Sequence, residues 1–198
     1  MLDKNRLNFQ KSILDVAESI ISHQGYHMLS ARKISTQIGC AVGSLYNAYS
    51  NLNDIYLHVN QRSLNRLHDM FKIYLDNSSG STLEKLFGLT DIYMQFWESD
   101  FQLANCLFNY SQPEKTSLPQ WAQHDIDLLF STIIGVIESQ KLGLNENPKL
   151  IVAVLWAGLH GIANLCFSGK IQVFESQTHF GLARSFVQHY FMGVTNTK

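Results

Sequence analysis

The sequence predicts an all-α protein of nine helices, and three observations carry that reading. Apolar residues recur three and four apart through most of the 198 residues. Only three prolines occur, at Pro113, Pro119 and Pro148, so long helices are permitted almost everywhere. Clusters of Gly, Ser and Asn separate the periodic segments, and no strand-like alternation stands out beyond a short stretch at Lys170–Phe174. With 45% hydrophobic residues, including 12 Phe, 8 Tyr and 3 Trp, the chain can fill a large core.

The first helix is expected from about Asn5 to His23, with Ile13, Ala17, Ile20 and Ile21 inward. Leu29 to Asp54 then reads as two short helices hinged at Ile38-Gly39-Cys40. Ser30 is placed to cap the first of them, and Ile34 and Ile38 line one face. Gly39 follows the last periodic residue, where a left-handed residue ends a helix. The next helix begins near Ala41 or Val42, with Leu45 and Tyr49 inward. Val42, Gly43, Ser44, Tyr46 and Asn47 are left on its outer face. A face that is small and polar at its start, with one tyrosine, suits a helix laid into the major groove of duplex DNA.

Asn51 can cap a fourth, long helix from Leu52 to about Leu75, striped by Ile55, Val59, Leu64, Leu67 and Phe71. Asn77 to Ser81 is the clearest linker. Thr82 is the expected cap of a helix carrying Leu83, Leu86, Leu89, Ile92, Tyr93, Phe96 and Trp97. Asp100 caps the next, Phe101 to about Tyr110, followed by a Pro-bearing loop. Trp121 to about Lys141 is the seventh helix. Pro148 suits the first turn of the eighth, which runs to about Phe167 and stops at Ser168-Gly169. The last spans about Glu175 to Met192.

Leu7 to Val59 resembles the N-terminal DNA-binding domain of the tetracycline-repressor (TetR) family of bacterial regulators. The resemblance rests on Ala17, Gly25-Tyr26, Ser30, Ile34-Ser35, Gly39-Cys40-Ala41 and the run Gly43-Ser44-Leu45-Tyr46-Asn47-Ala48-Tyr49, kept without a gap. Two positions depart from it. Ala41 stands where the family usually caps the recognition helix with Ser or Thr, and Leu52 where a phosphate-binding Lys is usual. The Trp156 to Gly161 run, Trp-Ala-Gly-Leu-His-Gly, resembles the Trp-His-Gly signature of some TetR-family C-terminal domains. The resemblance implies residues 1–51 as the DNA-binding domain, a connecting helix over about 52–75, and residues 76–198 as a helical bundle for ligand binding and dimerisation.

Charge agrees with that division. Residues 1–72 hold eight Lys/Arg against five Asp/Glu, a net of +3, and residues 73–198 hold seven against eleven, a net of −4. Cys40, Cys106 and Cys166 have neither disulfide nor zinc spacing and read as buried reduced thiols. The eight histidines show no metal-site pairing. No phosphate loop or nucleophile elbow exists, so neither a cofactor nor enzyme activity is expected. The absence of a leader-like start or an unbroken apolar run of about 18 residues predicts a cytoplasmic protein with no membrane span.

The expected DNA contacts are Ser30, Arg32, Lys33, Val42, Gly43, Ser44, Tyr46 and Asn47. Arg32 can fork onto a guanine edge or a phosphate, Lys33 reaches phosphate only, and the Tyr46 hydroxyl reaches phosphate as the family's matching tyrosine does. Trp156, Leu159, His160, Ile162, Phe186 and Tyr190 are expected in a homodimer interface. His160 lacks a nucleophile or carboxylate partner at a catalytic spacing and reads as structural. Tyr93, Phe96, Trp97, Phe108, Trp121 and His124 are expected to line an effector pocket for an apolar or flat aromatic molecule. The favoured reading is a homodimeric repressor released from a palindromic operator by such an effector. Two other readings fit: a helical DNA-binding protein without an effector, and an α-helical carrier or enzyme.

Overall fold

A computed structural model describes residues 2–112, 117–140, 143–170 and 178–195. Among them are nine α-helices and no strand. They are α1 (Leu2–Gln24), α2 (Ala31–Ile38), α3 (Val42–Tyr46), α4 (Leu52–Asn77), α5 (Thr82–Ser99), α6 (Phe101–Asn109), α7 (Gln120–Glu138), α8 (Pro148–Phe167) and α9 (His179–Thr195). The expected strand-like stretch at residues 170–174 falls almost wholly outside the described residues, as do Lys141 and Glu175. A single 3-10 turn, Tyr26–Met28, follows α1, and Gly25 enters it at φ 84°, a value glycine adopts without strain.

Helix ends follow local chemistry. Asn51 Oδ1 accepts from the Asp54 amide at 2.9 Å, while Asp54 returns the bond by accepting from the Ser50 amide at 2.9 Å. Asp100 caps α6 through the Leu103 amide, and Asn147 caps α8 ahead of Pro148. The cap of α5 is Ser81 rather than Thr82. Its hydroxyl accepts from the Glu84 amide at 3.3 Å, and Glu84 accepts from the Ser81 amide at 2.7 Å. The Ser-x-x-Glu spacing allows both bonds at once, which Thr82 cannot offer.

The chain divides into two compact units, Met1–Asn65 with Asp100–Gln123, and Arg66–Ser99 with His124–Lys198. This differs from the division at residues 51 and 76 in one respect of consequence: α6 joins the N-terminal helices. Leu103 and Cys106 of α6 sit in one core with Ile13, Ala17, Ile20, Ile21, Ile34, Leu45, Ile55 and Val59. Ser22 donates to Asp100 at 2.6 Å, and Asn60 Nδ2 to the Cys106 carbonyl at 3.4 Å. Of the three cysteines only Cys106 is fully buried, which pushes its thiol up to about 12; Cys40 and Cys166 are half-buried.

The second unit is closed by rings lying on glycines. A Cβ on Gly88 would stand 2.0 Å from the Tyr74 ring, and one on Gly158 would stand 2.1 Å from the Phe186 ring. Gly158 is therefore consumed by the α8–α9 contact within the chain. By length and composition α8 is apolar enough to cross a membrane, with a mean hydropathy of 1.9 over an 18-residue window, although the sequence offers no unbroken apolar run there. His160, Asn164 and two glycines interrupt the apolar run, but no charge lies between Leu150 and Phe167. Leu150, Val154, Trp156 and Leu165 of this helix are exposed.

Candidate nucleic-acid interface

The hairpin α2–α3 is built on three buried side chains, Ile34, Leu45 and Tyr49. Burying them fixes which face of each short helix turns outward. Ser30, in extended backbone, accepts from the Lys33 amide at 3.3 Å and starts α2. Gly39, at φ 77°, ends it and returns its amide to the Ser35 carbonyl at 2.9 Å. A Cβ at Gly39 would meet nothing within 4 Å, so the backbone angle alone asks for glycine there. Ala41 precedes α3 without a side-chain cap, as its identity dictates.

The structure places the eight expected contact residues on three kinds of surface. Arg32, Val42, Gly43, Tyr46 and Asn47 lie outermost and exposed, with Val42 at 38% and Tyr46 at 44%. Ser30 and Ser44 are half-buried, Ser30 being engaged as a cap. Lys33 is half-buried and donates to Gln24 Oε1 at 2.8 Å, which holds it against α1. Arg32 has no ion-pair partner among the described residues. Gly43 is a helical glycine whose Cβ would meet nothing within 4 Å. Neither its backbone angle nor its neighbours require glycine, although glycine in a helix costs up to ~1 kcal/mol relative to alanine.

The frame behind this face is polar and long-range. Gln10 Nε2 donates to the Ala48 carbonyl at 3.1 Å, and the Tyr49 hydroxyl donates to the Gln10 carbonyl at 3.2 Å. Desolvation by burial pushes the Tyr49 phenol up to about 12, so it stays a neutral donor at physiological pH. The His58 ring stands edge-on to Tyr49 at 5.1 Å and beside Trp121 at 4.6 Å, with Asp54 accepting at its Nδ1 side. Tyr110 donates to Asn53 Oδ1 at 2.8 Å and stacks on Tyr56, whose own hydroxyl reaches the Tyr26 carbonyl at 2.6 Å. Sequence reasoning missed Gln10, Gln24 and Asn53. Their partners lie from nine to 57 residues away, and no local pattern marks such pairs. Leu52 packs against this core, so the position usual for a phosphate-binding lysine serves packing here.

The remaining expected sites fall in different places. Tyr93, Phe96 and Trp97 are buried on α5, and Trp97 is fully enclosed. Phe108 and Trp121 belong to the first unit, and His124 is exposed. Tyr93 hydrogen-bonds His160 Nδ1 at 3.2 Å, and the His160 ring stacks on Trp156. Burial lowers the His160 pKa from its ordinary value. Leu159, Ile162 and Phe186 are half-buried in the single chain, as is Tyr190, while Trp156 is exposed.

An all-helical chain with a capped hairpin of this geometry is a helix-turn-helix protein. Residues 13–59 match the profile described as "Bacterial regulatory proteins, tetR family". The chain is 25% identical over 104 residues to the "HTH-type transcriptional regulator SAB2452" of Staphylococcus aureus, strain bovine RF122 / ET3-1. That match spans about half of either protein, 52% of this chain and 56% of the relative. Among solved structures, a protein of unknown function from Rhodococcus sp. RHA1 aligns with a TM-score of 0.78 at 15% identity, over 94% of this chain and 95% of that one. A TetR-family transcriptional regulator from Streptomyces coelicolor aligns at 0.68 and 16% identity, over 93% and 98%. The fatty acid degradation regulator FadR from Bacillus halodurans aligns at 0.68 and 17% identity, over 95% and 97%. The chain is thus similar to TetR-family regulators in two respects: residues 13–59 match the family's DNA-binding profile, and the fold matches that of solved TetR-family structures.

Proposed function

We propose that the protein is a homodimeric, cytoplasmic repressor that binds a palindromic operator and is released by a small apolar or aromatic effector. The observation that carries the DNA-binding part is the outer face of α2–α3. Arg32, Val42, Gly43, Tyr46 and Asn47 lie outermost on a hairpin whose inner residues are buried. Gly43 adds to this, because a helical glycine without a steric reason inside the protein suits the close approach of a partner from outside. In this reading Arg32 forks onto a base edge or a phosphate, Tyr46 donates to a phosphate, and Val42 meets a base edge or thymine methyl.

Two further features support the finer reading. The exposed Leu150, Val154, Trp156 and Leu165 give α8 an apolar surface that a second copy would cover, setting two recognition helices a fixed distance apart. The buried Tyr93, Phe96 and Trp97 supply the aromatic surface an apolar effector needs. Effector binding then favours one arrangement of α4 over another and lowers operator affinity.

Selection of bound duplexes from a random-sequence pool tests the DNA half directly. Arg32→Ala and Tyr46→Phe should each weaken the selected duplex by about 1–3 kcal/mol with an unchanged melting temperature. Wild-type affinity in both variants at matched salt would remove the assignment of this face. Light scattering at micromolar concentration should show a dimer that Trp156→Glu dissociates; a monomer in the wild type would overturn the dimeric geometry. An effector must quench Trp97 fluorescence and release DNA, and the duplex must weaken effector binding by the same factor.

A further inference from the structure

The first turns of α1 are accounted for neither by the family profile nor by the core. The profile begins at Ile13, which is also the first residue of α1 among those described to be completely buried. Ahead of it, Lys4, Asn5, Arg6, Leu7 and Asn8 are exposed in succession, Leu7 at 59%, so no face of this helical stretch packs on the unit. A helix with no packed face draws little stability from its own chain.

Its position is nevertheless set. Phe9 packs on the core, and Gln10 is bonded to Ala48 and Tyr49, the residues that follow the recognition helix. Counting back from Gln10 to Lys4 at about 1.5 Å per residue carries the arm roughly 9 Å beyond that anchor. Residues 2–12 contain Lys4, Arg6 and Lys11 against Asp3 alone, a net of +2. Neither Lys4 nor Arg6 has an ion-pair partner among the described side chains. Two of the unit's other cations are differently employed: Arg62 is held by Asp15 and Glu18, and Lys33 by Gln24.

We propose that this arm, Lys4 to Asn8, docks on the phosphate backbone of the DNA flanking the sequence read by α3, with Lys4 and Arg6 on phosphates. It supplies from α1 the anchoring that Leu52 withholds at the start of α4. The proposal rests on the DNA-binding reading above and extends its footprint outward.

The test uses the full chain and a duplex selected from random-sequence DNA, once with flanking sequence on both sides and once trimmed to the recognised core. Lys4→Gln with Arg6→Gln, both at exposed positions, should leave helicity and melting temperature unchanged. On the flanked duplex this variant should bind on the order of tenfold more weakly at about 0.1 M salt, and its log–log salt slope should fall by about 0.9 for each phosphate left without its cation. Trimming should weaken the wild type and leave the variant nearly unaffected. Wild-type affinity and salt slope in the variant on the flanked duplex would overturn the proposal, as would an equal loss on both duplexes. If Arg32→Ala abolishes binding while Lys4→Gln/Arg6→Gln does nothing, the arm alone fails. If the wild type shows no salt-dependent binding to any duplex, the DNA-binding reading fails and the arm with it.

Discussion

The first unit, residues 1–65 with 100–123, ties its helices with directional bonds that cross long stretches of sequence. Gln10 reaches Ala48, Tyr56 reaches the Tyr26 carbonyl, Tyr110 reaches Asn53, and Arg62 bridges Asp15 and Glu18. The second unit, residues 66–99 with 124–198, relies on rings set against glycines, with Tyr74 over Gly88 and Phe186 over Gly158. Its longer polar links among the described residues include Tyr93 to His160, Arg184 to Asp91, His68 to Thr132 and the Asn145 amide to the Val194 carbonyl. Directional bonds fix a position and an orientation, whereas ring packing fixes mainly a distance. On the function proposed above, a face that meets a rigid duplex belongs on the first kind of frame. Helices proposed to accommodate a second copy or an effector are suited to the second.

That contrast can be broken most forcefully at Trp97. Trp97→Ala removes the largest completely enclosed side chain of the second unit, and a loss of about 3–5 kcal/mol is expected in chemical denaturation. A loss below about 1 kcal/mol would mean that ring packing does not hold this unit. Gly158→Ala probes the same idea with one added methyl group. Its Cβ would press on the Phe186 ring, and about 1–3 kcal/mol of destabilisation is expected. Adding Phe186→Leu to that variant should recover part of the loss; strict additivity of the two changes would contradict direct contact.

Acid sensitivity sharpens the comparison next. Burial holds the folded-state pKa of His160 below the ordinary 6.5, so the unfolded chain binds more protons as pH falls past that value. This contribution to stability is fully present above pH 6.5 and is lost on acidification below it. Unfolding free energies at about pH 5 and about pH 8 should therefore differ more in the wild type than in His160→Gln. An equal difference in the two proteins would assign the acid sensitivity elsewhere.

The smallest effect is expected at Gly43, and it should carry opposite signs in two assays. Gly43→Ala adds a Cβ that meets nothing and should stabilise the first unit by roughly 0.5–1 kcal/mol. The same methyl should weaken DNA binding if the duplex approaches this position closely. Improved stability with unchanged affinity would leave Gly43 without a role at the interface.

Local signals are legible wherever a helix end is built from adjacent residues. Ser30, Gly39, Asn51, Asp100 and Asn147 each mark a boundary through a bond to a neighbour within four positions. Ser81 escapes a reading of single residues for the same kind of reason, since Ser81 and Thr82 both satisfy a cap pattern until Glu84 is counted. The outward face of the hairpin is legible too, because Leu45 and Tyr49 claim the inward one. The assignment of α6 to the first unit is not, since nothing in residues 101–109 announces that Cys106 will share a core with Ile13.

By itself the sequence determined the helices, most of their caps, the hairpin and most of the residues that hairpin turns outward, because periodicity and capping act over one or two turns. Only the tertiary structure decided that α6 packs with the N-terminal helices and that Gly158 serves Phe186 of its own chain. It alone showed that Leu52 is spent on packing and that the start of α1 stands free of the core. Those outcomes depend on which faces meet after the chain has folded back on itself. Such meetings are settled by the joint burial of residues far apart in sequence, which no single stretch encodes.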